Sequence, residues 1–246
     1  MTAMSCVIVI PARMGATRFP GKPLCDLLGK PMVQWVVEAA QASGVAGRVV
    51  VATPDSEIVE ACRAFGAEAV STSPDHPTGT DRIAEVADQI VADVYVNVQG
   101  DEPLIRPSSI RACAAPILEN PDIEMASVFG TCLDGDEENP AVVKVVTDQS
   151  GYALYFSRWP IPFARNARFE PVKKHIGLYA YRRGPLLDFA RRAPTPLETA
   201  ESLEQLRFME HGVRIFMSPA EASELAVDTP EQAEEVRKLL AARHSA

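Results

Sequence analysis

The first half of the chain alternates continuous apolar runs with amphipathic segments. SCVIVI (residues 5–10) precedes PMVQWVVEAAQASG, RVVVAT precedes DSEIVEACRAFG, and AEAVST, GTDRIAEVADQI and DVYVNVQ continue the alternation. Continuous apolar runs are typical of strands that are buried on both faces. Strands that alternate with helices form a mostly parallel sheet covered by helices on both sides. The sequence therefore predicts an α/β fold, with Asp55 as the N-cap of the second helix.

The pattern changes after about residue 122. EMASVFGTC, AVVKVVTD and YALYFSR predict successive strands with short turns, and hence an antiparallel or mixed region. WPIPFARNARFEPVKK contains three prolines and predicts an extended arm or long loop. HIGLYAY predicts a further strand, followed by helices near 184–192 and 197–211 and a closing helix from Thr229. Because no repeat or linker is visible, we expect one domain over 1–246.

Bulk properties exclude several classes of partner. The net charge of −9 argues against a general affinity for nucleic acid or for anionic membranes. The five cysteines are scattered without a C-x-x-C pair, as expected of reduced thiols in a cytosolic protein. No signal-peptide pattern opens the chain, and no apolar stretch approaches the ~18 residues of a membrane helix. We expect a cytoplasmic protein.

A basic loop follows the first apolar run. PARMGATRFPGKPL (residues 11–24) carries Arg13, Arg18 and Lys22 together with Gly15 and Gly21. Its glycines are separated by five residues and Pro23 follows the lysine, so it does not match a P-loop, which has four residues there and Ser or Thr after the lysine. Arginine and lysine side chains bind phosphate oxygens. Composition alone is equally compatible with a solvated loop, but the position after the first strand favours phosphate binding.

Two further loops carry polar residues at the same predicted edge. NVQGDEP (97–103) ends a strand with Gln99, Gly100, Asp101 and Glu102. An Asp-Glu turn is commonly only a turn, but a carboxylate beside a cationic loop is suited to presenting Mg²⁺ to a polyphosphate. Residues 76–82 open the third helix. Open α/β sheets bind ligands beyond the carboxyl ends of their strands, so we expect the three loops to meet.

The remaining candidates stay ambiguous from residue type alone. Asp228 in AVDTP is typical of the N-cap of the last helix, and the motif by itself does not identify a metal ligand. His76 precedes PTGTDR, a turn that could donate hydrogen bonds to a base or sugar. His175 shares a strand face with Tyr179, which suits either a polar ligand or aromatic core packing. No Ser-His-Asp spacing stands out in the sequence, so covalent catalysis is not indicated.

Six segments together resemble one family. PARMGATRFPGKPL, NVQGDEP, YALYFSR, HIGLYAYRR, ESLEQLR and VDTPE occur in the order found in the 3-deoxy-manno-octulosonate (Kdo) cytidylyltransferases, or CMP-Kdo synthetases, over about residues 5–240. The first segment is shared with CMP-sialic acid synthetases, whereas YFSR and LEQLR are more specific. The resemblance implies a Rossmann-like three-layer α/β/α fold of the nucleotide-diphospho-sugar transferase type. It also implies a homodimer, with a nucleotide-binding half (about 1–122), sugar-binding and dimerisation elements (about 123–218) and a metal-ligand loop and helix (about 219–246).

The same resemblance implies the reaction CTP + Kdo → CMP-Kdo + diphosphate, with Mg²⁺, for lipopolysaccharide biosynthesis. The implied catalytic residues are Arg13, Lys22, Asp101 and Asp228, and the last two would be the metal ligands. The implied nucleotide-binding residues are Pro11, Ala12, Arg13, Arg18, Lys22, His76, Thr78, Gly79, Arg82, Gln99 and Gly100. The implied sugar-binding residues are Gln99, Arg158, His175, Tyr179, Glu204 and Gln205.

Two alternatives stay open. The same chemistry could act on 8-amino-3,8-dideoxy-manno-octulosonate or on another sugar acid such as a sialic acid. A catalytically silent nucleotide-binding module would predict loss of a carboxylate or basic residue, yet the sequence retains Arg13, Arg18, Lys22, Asp101 and Asp228. Gln232 stands where relatives often have an acid, which affects only the capping of the last helix.

Overall fold

A mixed β-sheet forms the centre of the fold. The computed structural model describes residues 4–15, 18–166, 171–223 and 225–244. The strands are β1 (Cys6–Pro11), β2 (Asp26–Leu27), β3 (Lys30–Pro31), β4 (Arg48–Thr53), β5 (Glu68–Ser71), β6 (Val94–Asn97), β7 (Met125–Thr131), β8 (Lys144–Thr147), β9 (Ala153–Ser157), β10 (Lys173–Arg182) and β11 (Ile215–Pro219). The helices are α1 (Met32–Ser43), α2 (Ser56–Ala64), α3 (Gly79–Gln89), α4 (Pro107–Glu119), α5 (Arg183–Ala190), α6 (Pro196–Glu201), α7 (Gln205–Glu210) and α8 (Pro230–His244).

The sheet is mostly parallel, as the strand–helix alternation predicted. Among the described residues, nine strands join in one sheet whose main path is β11-β7-β10-β6-β1-β4-β5. β1 pairs in parallel with β4 and β6, whereas β10 is antiparallel to both of its neighbours on that path. β8 and β9 form a hairpin beside β10. The predicted mixed region is confirmed, because β7 is antiparallel to β10 and parallel to β11, while β8 and β9 pair with each other.

Helices cover both faces of this sheet. Ile8 and Ile10 of β1 pack in a cluster with residues of α1, α2 and α4, whereas Val7 and Val9 pack with residues of α3, α5 and α7. All four side chains are buried, so β1 has no solvent-facing side over this stretch. α8 packs separately against the two-stranded sheet formed by β2 and β3, through a cluster that includes Leu27. The apolar run at the start of the chain is thus explained by burial on both faces.

The single helix predicted over 197–211 is interrupted. α6 ends at Glu201, Ser202 adopts a left-handed backbone conformation with φ of 54°, and α7 begins at Gln205. Non-glycine residues adopt this conformation uncommonly. The break leaves Glu204 and Gln205 at a bend, where their side chains face the ligand cavities described below. The predicted arm forms no helix or strand over 158–166, and its residues 167–170 lie outside the described part of the chain.

Two further observations concern thiols and membranes. All five cysteines lie in described residues and carry free thiols, as predicted. Across residues 4–15, 18–166, 171–223 and 225–244, no helix is long and apolar enough to cross a bilayer. The cytoplasmic location and the single-domain organisation stay predictions.

Candidate active site

The three predicted loops meet in one cavity of about 330 Å³ beyond the carboxyl ends of β1 and β6. β4 lies on one side of β1 and β6 on the other, so the cavity lies at the point where the strand order reverses. It is lined by Pro11, Ala12, Arg13, Arg18, Lys22, Pro23, His76, Pro77, Thr78, Gly79, Arg82, Gln99, Gly100, Asp101 and Asp228. Every residue that the resemblance assigned to nucleotide or metal binding is in this set. The structure therefore brings them together, while their roles remain predictions.

The basic loop is held by its own backbone and by Asp55. The Gly21 N–H donates to the Met14 carbonyl oxygen at 3.0 Å, and the Met14 N–H donates to Asp55 Oδ2 at 2.7 Å. Asp55 occupies the N-cap position of α2, but its side chain makes no capping hydrogen bond. The predicted capping role is therefore wrong for the side chain, because the carboxylate anchors the basic loop instead.

Lys22 lies between the two carboxylates of the cavity. Its Nζ is 2.8 Å from Asp101 Oδ2 and 3.1 Å from Asp228 Oδ1, and it also donates to the Val227 carbonyl oxygen at 3.0 Å. Arg18 Nη2 approaches the other oxygen of Asp228 at 3.0 Å. Burial alone lowers the pKa of Lys22, but the charges of both carboxylates and their hydrogen bonds outweigh it and raise that pKa above its ordinary value. The ammonium therefore stays charged in the folded protein.

Asp228 is an ion-pair partner and does not cap α8. That helix begins at Pro230, and the Gln232 N–H donates to Thr229 Oγ1 at 3.3 Å. Gln232 Oε1 in turn accepts from the N–H groups of Asp228 and Thr229 at 2.7 and 3.0 Å. The N-cap prediction for Asp228 is therefore wrong. Glutamine at 232 satisfies the same backbone donors that an acid would.

The donor set fits Mg²⁺. Mg²⁺ is commonly held by one or two carboxylates together with substrate phosphates and water. Asp101 and Asp228 converge on one cation, the Lys22 ammonium, and basic side chains for phosphates surround them. Among the described residues there is no group of three or more His, Cys, Asp or Glu side chains that could hold a metal by itself. The pair is thus suited to a metal that shares its coordination with a nucleotide.

At the other end of the cavity, Arg82 and His76 are held by hydrogen bonds. Arg82 donates to the Ser73 carbonyl oxygen at 2.9 Å and to the Thr72 hydroxyl. Burial and the neighbouring charge of Arg13 lower the pKa of Arg82, so two guanidinium groups lie close together. His76 Nε2 is 2.5 Å from Glu85 Oε2. Such a set of fixed donors suits an anionic ligand with a polar ring.

A second cavity of about 200 Å³ adjoins the first and shares Gly79 and Gln99 with it. Its polar lining includes three of the predicted sugar-binding residues, Tyr179, Glu204 and Gln205. The Tyr179 hydroxyl donates to Gln205 Oε1 at 3.2 Å, and Gln205 Nε2 is buried with no hydrogen-bond partner among the residues that the structure describes. Burial raises the pKa of Glu204, which accepts a hydrogen bond from the Thr80 hydroxyl at 2.5 Å. The cavity therefore offers both donors and acceptors to a polyhydroxylated molecule.

His175 lines a third cavity of about 460 Å³, which shares Gly177, Tyr179, Leu203 and Gln205 with the second. Its Nε2 contacts Ser127 Oγ at 3.1 Å, and its ring packs at 5.0 Å from the Phe156 ring and 5.3 Å from the Tyr179 ring. Burial lowers the pKa of His175 to about 3, so the imidazole is neutral near pH 7. The aromatic packing predicted for this strand face is confirmed. The ring also lines a cavity, and its contact with a polar ligand stays a prediction.

Arg158 is not placed in any of these three cavities. Its Nε donates to the Glu201 carbonyl oxygen at 2.8 Å, Nη1 to that of Pro140 at 3.0 Å and Nη2 to that of Ser202 at 3.3 Å. The expectation that Arg158 lines the sugar pocket is therefore not met, since its donors hold backbone carbonyls. It fixes the bend that presents Glu204 and Gln205.

The site also contains polar residues that were not assigned a role from the sequence. Thr80, Asn97 and Tyr181 line the second cavity, and Glu102 and Lys174 line the third. Glu102 Oε2 is buried without a hydrogen-bond partner in the described part of the chain, and burial together with the charge of Asp101 raises the pKa of Glu102 to about 7. The sequence shows that Glu102 lies next to Asp101, but it does not show that the Glu102 side chain is buried.

Comparison with known proteins gives a consistent result. The cytidylyltransferase family model matches residues 7–215. A 3-deoxy-manno-octulosonate cytidylyltransferase of Pseudomonas syringae pv. tomato is 52% identical over 256 residues, covering 98% of this chain and 100% of the relative. The Escherichia coli relative of the same name is 46% identical, with 96% of each chain covered.

A solved structure agrees. CMP:2-keto-3-deoxy-manno-octonic acid synthetase complexed with CTP superposes with a TM-score of 0.94 and 44% identity, covering 97% of this chain and 99% of that one. This similarity confirms the predicted nucleotidyltransferase-type α/β fold. The chain therefore belongs to the 3-deoxy-manno-octulosonate cytidylyltransferase family.

Proposed function

We propose that this enzyme transfers CMP from CTP to Kdo and releases diphosphate. The observation that carries the proposal is the convergence of Arg13, Arg18 and Lys22 with Asp101 and Asp228 in one cavity, which adjoins a second, polar cavity. The full-length similarity to CMP-Kdo-forming relatives supports the same assignment. The first cavity would hold CTP and the second would hold the sugar acid.

The chain's own residues would position the two reactants. His76, Thr78 and Arg82 would surround the cytidine, while the basic loop would hold the triphosphate. Tyr179, Glu204 and Gln205 would bind the sugar's hydroxyl groups. Because Gln99 lines both cavities, it lies where the two substrates would meet. Positioning of this kind accounts for a large share of the acceleration of two-substrate reactions.

The chemistry would be a direct displacement without a covalent protein intermediate. The anomeric oxygen of Kdo would form a bond to the α-phosphorus of CTP, the bond to the bridging oxygen of diphosphate would break, and the hydroxyl proton would pass to solvent. Lys22 would neutralise the charge that develops on the leaving diphosphate. Mg²⁺ held by Asp101 and Asp228 would supply a Lewis acid at the phosphate and favour ionisation of the attacking hydroxyl.

We also propose that the enzyme is a homodimer. Leu154 on β9, which pairs only with β8 among the described strands, is 59% exposed, and Trp159 and Phe163 beyond it are 77% and 88% exposed. Large exposed apolar side chains that lie close in sequence are typical of a surface that is covered in the assembled protein. Light scattering coupled to gel filtration tests this proposal: a mass of one chain would contradict it.

Diphosphate release with CTP and a panel of acceptors tests the function. We expect release with Kdo, and the panel adds 8-amino-3,8-dideoxy-manno-octulosonate and a sialic acid to identify the preferred acceptor. ATP replaces CTP as a control for the nucleotide. Absence of release with every acid would favour a silent nucleotide-binding module, and release that depends on ATP would contradict the nucleotide assignment.

A further inference from the structure

The Lys22 ammonium occupies the position between two carboxylates that a metal ion would need. Its Nζ contacts Asp101 Oδ2 at 2.8 Å, Asp228 Oδ1 at 3.1 Å and the Val227 carbonyl oxygen at 3.0 Å. The Lys22 side chain is only 14% exposed. Three oxygen ligands around one buried cation are an arrangement that Mg²⁺ would also accept.

We propose that Lys22 keeps Mg²⁺ out of the nucleotide-free site and releases the two carboxylates only when nucleotide phosphates draw its ammonium away. The metal then enters with the nucleotide instead of before it. The inference rests on the proposed function only for the identity of the two metal ligands. It adds a role for Lys22 that precedes its proposed contact with the leaving diphosphate.

Electrostatics explains why the lysine and not water fills this position. Two carboxylates that share a small site repel each other unless a cation lies between them. A lysine is well suited to occupy this position temporarily, because its charge is concentrated at the end of a flexible four-carbon side chain. A guanidinium is planar and less adaptable, and Arg18 accordingly lies at the outer oxygen of Asp228, where its side chain is 69% exposed.

As a consequence, binding of the metal and binding of the nucleotide are coupled. While the ammonium lies between the carboxylates, a divalent cation must displace it and therefore binds only weakly. Once phosphate oxygens offer the ammonium another partner, both carboxylates are free for the metal. Coupling of this kind is reciprocal, so the metal raises nucleotide affinity by the same factor by which the nucleotide raises metal affinity.

The direct test is Mn²⁺ binding without nucleotide, measured as the loss of free Mn²⁺ signal in electron paramagnetic resonance. Lys22→Met removes the charge and keeps the length of the stem. We expect its Mn²⁺ affinity to exceed that of the wild type by about tenfold or more, because opposite charges this close interact strongly outside bulk water. Lys22→Arg keeps a positive charge, so its affinity for Mn²⁺ should exceed that of the wild type by a much smaller factor.

Lys30→Met is the matched control. Lys30 also pairs with a carboxylate, Glu38, at 2.7 Å, and this pair does not line any of the three cavities. The control therefore makes the same change in net charge away from the site and should bind Mn²⁺ as the wild type does. Circular dichroism of each variant verifies that it is folded, and Lys22→Gln removes the same charge if Lys22→Met does not fold.

Repeating the titration with CTP separates the inference from the proposed function. With CTP present, the wild type should gain Mn²⁺ affinity by a larger factor than Lys22→Met does. If Lys22→Met binds Mn²⁺ no more tightly than the wild type without CTP, the exclusion role is wrong even where diphosphate release with Kdo is normal. If the enzyme releases no diphosphate but Lys22→Met gains Mn²⁺ affinity as expected, the exclusion role stands and the assigned reaction fails.

Discussion

Substitution of Gly100 by alanine should damage both stability and nucleotide binding. A Cβ at this position would lie 2.7 Å from the Pro11 carbonyl oxygen, a backbone atom at the end of β1. It would also approach Ile10 Cγ2 at 3.5 Å and Ala12 Cβ at 3.6 Å. The first distance falls short of an ordinary 3.4 Å contact by about 0.7 Å, and a strand backbone in a sheet has no free direction in which to move.

The size of the effect follows from the cost of overpacking, which is typically about 1–3 kcal/mol. For a chain of this length, 1 kcal/mol corresponds to roughly 2–4 °C in the melting temperature, so Gly100→Ala should melt about 2–12 °C below the wild type. The displaced backbone carries Pro11, Ala12 and Arg13, which line the first cavity. We therefore expect the Kd for CTP to rise by on the order of tenfold, since small misplacements of binding groups are costly.

Gly47→Ala provides the matched control. A Cβ at Gly47 would meet nothing within 4 Å, so this variant should melt and bind CTP as the wild type does. Melting is followed by differential scanning calorimetry and CTP binding by isothermal titration calorimetry. An unchanged melting temperature together with an unchanged Kd for CTP in Gly100→Ala would contradict this prediction.

Three other perturbations have defined outcomes. Asp101→Asn should lower turnover by about 100-fold or more, as loss of a group that stabilises transition-state charge does, and near-normal turnover in steady-state assays would refute its role. Arg158→Met should raise the KM for the sugar acid and leave the Kd for CTP unchanged, because the guanidinium hydrogen-bonds the carbonyl oxygens of Glu201 and Ser202 at the bend, and neither residue lines the nucleotide cavity. An unchanged KM for the sugar acid would contradict this. His175→Gln should remove an acid sensitivity: the pKa of His175 falls from 6.5 unfolded to about 3 folded, so its stabilising effect is present above pH 6.5 and is lost as pH falls toward 3. Between those values the wild type should lose up to about 1.4 kcal/mol of unfolding free energy per pH unit relative to the variant, and parallel urea-denaturation profiles would refute the assignment.

The sequence allowed much of the first cavity to be predicted. Carboxyl ends of neighbouring parallel strands lie at one edge of a sheet, so the loops after β1 and β6 had to be close once the alternation of strands and helices was recognised. Lys22 and Asp101 belong to those two loops. Their proximity thus follows from topology alone.

Other features depend on packing that no local pattern records. Asp228 lies 127 positions after Asp101, and only the path of the chain from β11 to α8 brings it to Lys22. Asp55 has the local sequence of an N-cap, yet its carboxylate anchors the basic loop. Arg158 lies in a motif typical of the family, but which backbone or ligand its guanidinium contacts is decided by the bend at Ser202.

The most direct test of the account is the fate of the anomeric oxygen of Kdo. Kdo labelled with ¹⁸O at that hydroxyl is incubated with the enzyme, CTP and Mg²⁺, and the products are followed by ³¹P nuclear magnetic resonance. Attack of the sugar oxygen on the α-phosphorus predicts an ¹⁸O isotope shift on the phosphorus of CMP-Kdo and unlabelled diphosphate. Label in the diphosphate, or a CMP-Kdo phosphorus without the shift, would contradict it.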